Sequence, residues 1–196
     1  MKDHLTETYY NENYQEFFDS TVDADVVPLY ERFCKYVPIG GKILDLGCGS
    51  GRDVKAFRDM GYDAHGVDGS PDLCRLASEY TGIQITCMDF ENLDVSNEYD
   101  AIWACASLLH VPSDKLSFLL TRLNEALKDD GILYMSFKYG DFEGERDGRF
   151  FTDMTEERFA AVMQKASGVA ILEEWYSEDV RRGNETSWFN VILSKT

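Results

Sequence analysis

The sequence predicts an α/β protein built on a Rossmann-like, doubly wound sheet of mostly parallel strands. Short apolar runs alternate with amphipathic segments of helical period, and a loop with three glycines joins the first apolar run to the helical segment after it. That alternation is typical of a parallel sheet with helices on both faces. The last two apolar runs have no helical segment between them, so we expect an antiparallel pair at one edge of the sheet.

Composition narrows the class of protein. The 196 residues are 44% hydrophobic, which suits one domain over residues 1–196 with a sizeable core. The net charge of −17 disfavours nucleic acid and anionic membrane surfaces as partners. A polar, acidic start and the absence of a long apolar run lead us to expect a cytoplasmic protein without a membrane span.

The cysteines and histidines do not predict a metal site. The five cysteines are odd in number and well separated, so we interpret them as reduced and mostly buried side chains. The three histidines are equally scattered and lack the spacing of metal ligands.

The first 37 residues predict a helical N-terminal lid. Apolar residues at helical spacing run from Val26 to Val37 and end at Pro38. Upstream, a second set of aromatic residues also recurs near helical spacing, including Tyr10 and Tyr14. These two tyrosines are expected either to line a pocket or to pack ordinarily; an aromatic face can stabilise a bound cation.

Two strand-and-helix units follow. Lys42–Leu46 is a short apolar strand, and beyond the glycine loop Val54, Phe57 and Met60 share one face of a helix. Residues 62–68 predict the second strand. Ser70-Pro71-Asp72 then opens a helix, because it supplies a capping hydroxyl, a proline at the first helical position and an acid in the first turn.

The remaining elements continue the alternation and then break it. Leucines from 116 to 127 predict a strong amphipathic helix that ends at the turn 128–131, and Thr155 opens one more helix. The other predicted strands cover residues 83–88, 100–107, 132–137, 170–175 and 188–193.

The glycine loop predicts a ligand that contains a nucleoside. In a doubly wound sheet, ligands bind beyond the carboxyl ends of the strands, and glycines let the backbone approach them. Gly47, Gly49 and Gly51 fit the dinucleotide pattern imperfectly, because Arg52 stands where its third glycine should fall. Asp68 ends the next strand, where a carboxylate accepts from ribose hydroxyls, although it could instead only cap the following helix.

These residues resemble a known family, the class I S-adenosylmethionine-dependent methyltransferases. The resemblance covers roughly residues 9 to 195, and within the family the chain looks most like the small tellurite-resistance-type bacterial methyltransferases. It is carried, in order, by DLGCGSG at 45–51, VDGS at 67–70, CMDF at 87–90, YDAI at 99–102 and LKDDG at 127–131. One departure is the Asp-Gly turn before the fifth strand, where Pro-Gly is common.

The resemblance implies a seven-stranded sheet with the last strand antiparallel, and S-adenosylmethionine as cofactor. Gly47 and Gly49 should pass under its methionine and ribose, and Asp68 should bind the ribose hydroxyls. Asp89 should accept from the adenine amine while Phe90 covers the ring, and the end of the fourth strand, Ala104 to Ser107, should face the methionyl end. The full expected cofactor set is Tyr14, Asp45, Gly47, Cys48, Gly49, Gly51, Asp68, Gly69, Asp89, Phe90 and Ala104.

The sequence signals for the residues around the methyl acceptor are less specific than those for the cofactor site. A sulfonium methyl is already activated, so alignment and exclusion of water matter most and a general base is optional. His110 is a candidate base but could simply satisfy backbone groups. In the loop after the fifth strand, Lys138, Tyr139 and Arg149 are expected to form an acceptor pocket in which Arg149 pairs an anionic group, unless the loop is merely solvated.

Two smaller features remain open at this point. Trp175 and Trp188 are expected to be edge-sheet core, with a pocket wall as the alternative, and Arg181-Arg182 to be a solvated hairpin tip.

We therefore expect a methyltransferase that acts on a small-molecule acceptor by in-line displacement, without nucleic acid, membrane or metal. An RNA or protein methyltransferase is disfavoured because the chain is strongly acidic and shows no recognition domain. A nicotinamide-dependent oxidoreductase is disfavoured by the displaced third glycine. A non-catalytic sensor of the cofactor with the same fold remains the alternative from another class.

Overall fold

The computed structural model describes residues 4–181 and 185–196, and its centre is a seven-stranded sheet. The order of its strands is β3-β2-β1-β4-β5-β9-β8, and a two-stranded hairpin of β6 and β7 stands apart from it. The strands are β1 (Lys42–Leu46), β2 (Asp63–Asp68), β3 (Thr86–Cys87), β4 (Tyr99–Ala104), β5 (Leu127–Lys138), β6 (Glu143–Arg146), β7 (Arg149–Thr152), β8 (Val169–Glu178) and β9 (Ser187–Lys195).

The predicted fold class is confirmed. The first five strands pair parallel, and β9 pairs antiparallel with both β5 and β8. The antiparallel strand is the last in the chain, as expected, and lies one position in from the edge, with β8 outermost. Because β8 and β9 follow each other without a helix, they form the antiparallel pair that the sequence predicts.

Helices cover the sheet and its ligand end. They are α1 (His4–Glu12), α2 (Tyr14–Thr21), α3 (Val27–Phe33), α4 (Arg52–Asp59), α5 (Pro71–Thr81), α6 (Ser113–Ala126) and α7 (Glu156–Met163). Helix α5 begins as predicted: the Ser70 hydroxyl accepts from the Leu73 N–H at 3.4 Å, with Pro71 in the first turn. It ends at Gly82, whose φ of +73° suits a left-handed C-cap.

The core has two parts, one on each face of the sheet. On one face the aromatic rings of Trp103 and Tyr134 stack at 4.0 Å between centroids, and Phe33 packs against both. Helix α3, which carries Phe33, is therefore part of the core. Of the helices in the segment predicted as a lid, only α1 and α2 lie at the ligand end of the sheet.

Three stretches differ from the sequence prediction, and one of them is the predicted loop after the fifth strand, which forms the β6–β7 hairpin. The third strand is short, Thr86–Cys87. The fifth begins at Leu127, so the residues predicted as a turn before it belong to the strand. Asp130 still has a φ of +61°, and a Cβ on Gly131 would lie 2.7 Å from the Lys128 carbonyl oxygen, which explains a glycine there.

Candidate active site

A cavity of about 1280 Å³ opens at the carboxyl ends of β1, β2, β4 and β5. This is where ligands bind in doubly wound sheets. Its wall includes most of the residues that the sequence singled out. These are Tyr10, Gly47, Cys48, Gly49, Asp68, Gly69, Asp89, Phe90, Ser107, His110, Lys138, Arg149 and Trp188.

The glycine loop makes room at the floor of the cavity. Gly47 and Gly49 have φ of +78° and +52°, and an added Cβ would lie 2.5 Å from the Ser107 Cβ and 2.8 Å from the Phe17 ring, respectively. The loop is also tied to β2, because the N–H groups of Gly47 and Cys48 donate to the Val67 carbonyl at 2.9 and 3.0 Å. These glycines therefore supply space and backbone conformation, while part of their hydrogen-bonding capacity holds the loop.

Gly51 has a structural task instead. Its φ is +78°, and a Cβ there would lie 2.8 Å from Thr81 Cγ2 and 3.1 Å from Ala77 Cβ. It allows α4 to pack closely on α5 and does not line the cavity. The sequence places Gly51 in the expected cofactor set, but the structure does not bring it to the cavity wall.

Asp68 links the glycine loop to the start of α5. Its Oδ2 accepts from the Gly49 N–H and its Oδ1 from the Ser70 N–H, both at 2.9 Å. Burial raises the pKa of Asp68, and these backbone donors offset part of that effect. The side chain braces the start of α5, which agrees with the interpretation of Asp68 as a helix cap. It also faces the cavity, which agrees with the interpretation of Asp68 as a ligand-binding residue.

Asp89 and Phe90 reach the same end of the cavity from the segment after β3. A Cβ on Gly69 would lie 3.7 Å from Asp89 Oδ1, and one on Gly47 would lie 3.1 Å from Phe90 Cζ. The carboxylate of Asp89 accepts from the Asn92 side-chain amide at 3.3 Å. The structure thus brings together the ends of the first three strands, as the sequence predicts.

The sequence pattern does not predict the ion pair between Arg52 and Asp53. Asp53 is buried and accepts from Arg52 Nε and Nη2 at 2.6 and 2.9 Å, from Tyr30 Oη at 2.5 Å and from Trp103 Nε1 at 2.8 Å. Burial alone would raise the pKa of Asp53, but Arg52 and the other donors hold it below its usual value. The pair fixes a guanidinium on the cavity wall. The signal was Arg52 itself, which stands in place of the third glycine.

Asp45 and Ala104 lie behind the wall rather than on it. Asp45 is 1% exposed, and its Oδ2 has no hydrogen-bond partner among the described residues. Burial, and then the nearby charge of Asp53, raise its pKa well above the usual value. Ala104 is fully buried, and the residues just after it, Cys105 to Ser107, line the cavity in its place.

Helices α1 and α2 close one side of the cavity. Tyr10 Oη lies 2.9 Å from His110 Nε2, and His110 Nδ1 lies 2.7 Å from the Phe150 carbonyl oxygen. Because a carbonyl only accepts, Nδ1 carries a proton, and in the neutral form of the ring Nε2 accepts from the Tyr10 hydroxyl. The Ser70 hydroxyl also donates to Asn11 Oδ1 at 2.7 Å, which ties α1 to the start of α5.

Tyr14 does not reach the cavity, although the sequence predicts it there. The chain breaks between α1 and α2 at Asn13, where φ is −115° and ψ is 18°, so the aromatic residues do not share one continuous face. Tyr14 instead lies 6.0 Å from the Arg75 guanidinium of α5. Phe17, one turn further along, lines the cavity in its place.

At the other end of the cavity, Lys138 and Arg149 line the wall as expected, but Tyr139 does not. Tyr139 is 48% exposed, and it lines a separate cavity of about 470 Å³. Tyr139 follows the last residue of β5, and Lys138 lines both cavities, so of these two residues only Lys138 reaches the first cavity.

Strands β8 and β9 add two side chains to this end. Trp188 belongs to the wall, whereas Trp175 packs near Tyr134. Arg181, expected at a solvated tip, lines the cavity and pairs with Asp179 at 2.7 Å between Nη2 and Oδ2. Arg182 lies outside the described residues.

Within residues 4–181 and 185–196, no group of three or more histidine, cysteine or acidic side chains is arranged to hold a metal ion. Among the helices that the structure describes, none has both the length and the apolar character to cross a membrane.

The comparisons agree with this geometry. Residues 43–131 match the family model of a methyltransferase domain. This stretch runs from β1 through the glycine loop to the start of β5 and contains Asp68, Asp89 and His110. This domain match and the fold support the class I S-adenosylmethionine-dependent methyltransferases, the family that the sequence resembles.

Among curated proteins, a ubiquinone biosynthesis O-methyltransferase of Actinobacillus pleuropneumoniae is 32% identical over 108 residues, which cover 50% of this chain and 45% of that protein. The chain spans about half the length of the curated relatives it matches.

Two solved structures have the same fold. The 1,6-didemethyltoxoflavin-N1-methyltransferase of Burkholderia thailandensis, with bound 1,6-didemethyltoxoflavin and S-adenosylhomocysteine, superimposes with a TM-score of 0.79 at 20% identity, covering 97% of this chain and 87% of that one. A TehB-like methyltransferase of Corynebacterium glutamicum gives a TM-score of 0.72 at 21% identity, covering 96% of this chain and 100% of that one. At these identities the likeness concerns the fold alone.

Proposed function

We propose that the protein transfers the methyl group of S-adenosylmethionine to a small-molecule acceptor by in-line displacement. The observation that carries the proposal is the convergence of Gly47, Asp68, Asp89 and Phe90 on one large cavity. Two comparisons support the proposal: the match to a methyltransferase domain and the similarity to relatives named as ubiquinone biosynthesis O-methyltransferases.

The residues of the cavity fit this cofactor. At Gly47 and Gly49, a Cβ would collide with the side chains of Ser107 and Phe17, which line the cavity, so glycine lets the backbone lie this close to the cavity wall. Asp68 would accept from the ribose hydroxyls, and Asp89 and Phe90 would hold the adenine amine and cover the ring. Arg52, fixed by Asp53, would pair with the cofactor's carboxylate.

Methyl transfer requires few other functional groups from the protein. The cofactor supplies a methyl group on a sulfonium, which is activated toward nucleophilic displacement. The protein must hold the acceptor in line and exclude water, and such positioning contributes roughly 7–11 kcal/mol to lowering the barrier. Helices α1 and α2, tied down through Tyr10 and Asn11, provide the wall that excludes water.

Tyr10 and His110 offer a route for a proton. Burial raises the pKa of Tyr10, so its hydroxyl stays protonated and donates to His110. An acceptor hydroxyl or amine that donates to Tyr10 Oη could therefore pass its proton on to His110 Nε2. An acceptor that is already an anion would not need this route.

The acidic charge of the chain and a cavity of about 1280 Å³ favour a small acceptor over RNA. Calorimetric titration with S-adenosylmethionine, S-adenosylhomocysteine and NAD tests the cofactor. We expect both adenosyl compounds to bind and NAD not to bind. Binding of NAD alone would overturn the proposal, and binding of S-adenosylmethionine without turnover of a broad acceptor panel would favour the sensor.

A further inference from the structure

Three cationic side chains converge on one phenyl ring at the acceptor end of the cavity. Lys138 Nζ lies 4.3 Å from the centroid of Phe151, and the guanidinium carbons of Arg146 and Arg149 lie 4.7 and 5.1 Å from it. Phe151 itself is 2% exposed, so these cations meet at a partly desolvated place. Each is stabilised by the ring face, but the three charges repel one another.

Acidic side chains balance only part of this charge. Asp153 forms a two-point ion pair with Arg146, at 3.1 Å from Nη1 and 2.9 Å from Nη2. Among the described residues, neither Lys138 nor Arg149 has a carboxylate within ion-pair distance. Asp147 lines the same cavity and pairs with neither of them. A chain with a net charge of −17 therefore keeps two cations without a carboxylate ion pair in the wall of this cavity.

The electrostatic state of both side chains agrees with an open position for an anion. Burial, and then the charge of Arg146, lower the pKa of Lys138. The guanidinium carbon of Arg149 lies 4.2 Å from the centroid of the Tyr9 ring. The Nε atom of Arg149 is buried without a hydrogen-bond partner among the described residues. An unpaired buried donor is costly unless something completes it.

We propose that Lys138 and Arg149 form a subsite for a carboxylate of the methyl acceptor, so that the acceptor is a small organic acid. This inference rests on the proposed function. A planar carboxylate suits the fork of a guanidinium and can share its second oxygen with an ammonium group. The aromatic side chains Phe151, Tyr10 and Trp188 line the space beside the two cations, which suits an apolar or aromatic body.

The subsite also orients the acceptor. Tyr10 joins it to the proton route, because the Arg149 guanidinium lies 5.8 Å from the Tyr10 ring, whose hydroxyl bonds His110. A carboxylate anchored at Lys138 and Arg149 leaves the other end of the molecule free to point toward Ser107 and the glycine loop. The acceptor's anion would thus serve as a handle, while a different atom receives the methyl group.

The test measures binding of three carboxylates and their neutral amide twins: benzoate and benzamide, phenylacetate and phenylacetamide, nicotinate and nicotinamide. Calorimetry at constant ionic strength is run on the free protein and on its complex with S-adenosylhomocysteine. We expect at least one acid to bind about tenfold more tightly than its amide. Absence of binding by every acid up to about 10 mM, or equal binding of acids and amides, overturns the inference.

Matched variants locate the effect. Lys138→Met and Arg149→Gln should each abolish the preference for the acid and leave the affinity for S-adenosylhomocysteine unchanged. Lys165→Met removes one positive charge at an exposed position on another face and should keep the preference. A preference that survives both cavity variants, or disappears in Lys165→Met, overturns the subsite.

Failure of the two proposals is distinguishable. If S-adenosylhomocysteine does not bind the wild-type protein, the proposed function fails, and the titrations of the free protein still decide whether the carboxylate subsite exists.

Discussion

Tyr10 of α1 and His110, just after β4, are joined by a hydrogen bond of 2.9 Å that closes one wall of the cavity. The two residues are 100 positions apart in the sequence, and the bond places a phenol hydroxyl and an imidazole in series. His110 is oriented for this by its second nitrogen, which lies 2.7 Å from the Phe150 carbonyl oxygen. The pair therefore connects the N-terminal helices with the chemistry at the end of β4.

Tyr10→Phe should slow methyl transfer to an acceptor that must lose a proton. The variant keeps the ring that packs 5.0 Å from Phe17 but removes the hydroxyl, so the route to His110 is broken. Loss of general-base assistance reduces turnover by about 10²-fold or more, whereas affinity for S-adenosylmethionine should change less than about tenfold. Steady-state kinetics and calorimetry separate the two. An unchanged kcat with an amine or hydroxyl acceptor would contradict the route.

Asp68→Asn should weaken binding of S-adenosylmethionine at least about tenfold, because a charged acceptor of hydrogen bonds is replaced by a neutral one. Calorimetry measures the affinity and a thermal melt checks the fold. Asp72→Asn is the matched control: it changes the same residue type in the first turn of α5, where Asp72 lies 3.8 Å from Arg75. Equal affinities of wild type and Asp68→Asn would show that Asp68 only braces the helix.

Gly47→Ala should damage the site, whereas Gly82→Ala should only destabilise the fold. Both glycines have a left-handed φ, +78° and +73°, so each substitution costs about 1 kcal/mol of stability. At Gly82 nothing lies within 4 Å of an added Cβ, but at Gly47 it would meet Ser107 at 2.5 Å. Melting should therefore show the larger loss of stability in Gly47→Ala, and calorimetry on the folded variants should show loss of cofactor binding in Gly47→Ala alone.

Asp45→Asn should raise the melting temperature at neutral pH by several degrees. Because burial raises the folded-state pKa of Asp45, the folded protein holds a proton that the unfolded chain releases, and wild-type stability falls as pH rises above about 4. The variant lacks this loss, so its advantage should grow from about pH 4 to neutral pH and vanish below. Asp94→Asn, at an exposed loop position, should show no such trend. A constant difference between pH 4 and pH 7 would contradict the assignment.

Local pattern was sufficient for most elements of the central sheet. The strands and helices of the first half follow directly from apolar spacing and from signals such as Ser70-Pro71, whereas the seven-stranded sheet with β9 antiparallel is as the family resemblance implies. The same logic places Gly47, Asp68 and Asp89 together, because the carboxyl ends of parallel strands meet at one edge.

The sequence could not show which way side chains point beyond these strands. Tyr14 turns away because the helix breaks at Asn13, and Tyr139, the residue after the end of β5, lines the second cavity. Arg181 reaches the cavity through the long β8–β9 pair, a tertiary relation that no local pattern contains. Arg52 was visible as the residue that replaces a glycine, but its ion pair with the following Asp53 was not.

The bonds that fasten the glycine loop before any ligand arrives have a consequence for the thermodynamics of binding. Gly47 and Cys48 are held by the Val67 carbonyl and Gly49 by Asp68, so the floor of the cavity is preorganised and loses little conformational entropy on association. The entropic penalty should fall instead on the ligands, whose rotatable bonds become fixed on binding. The nucleoside half of the cofactor would thus bind with little rearrangement of the rigid sheet edge.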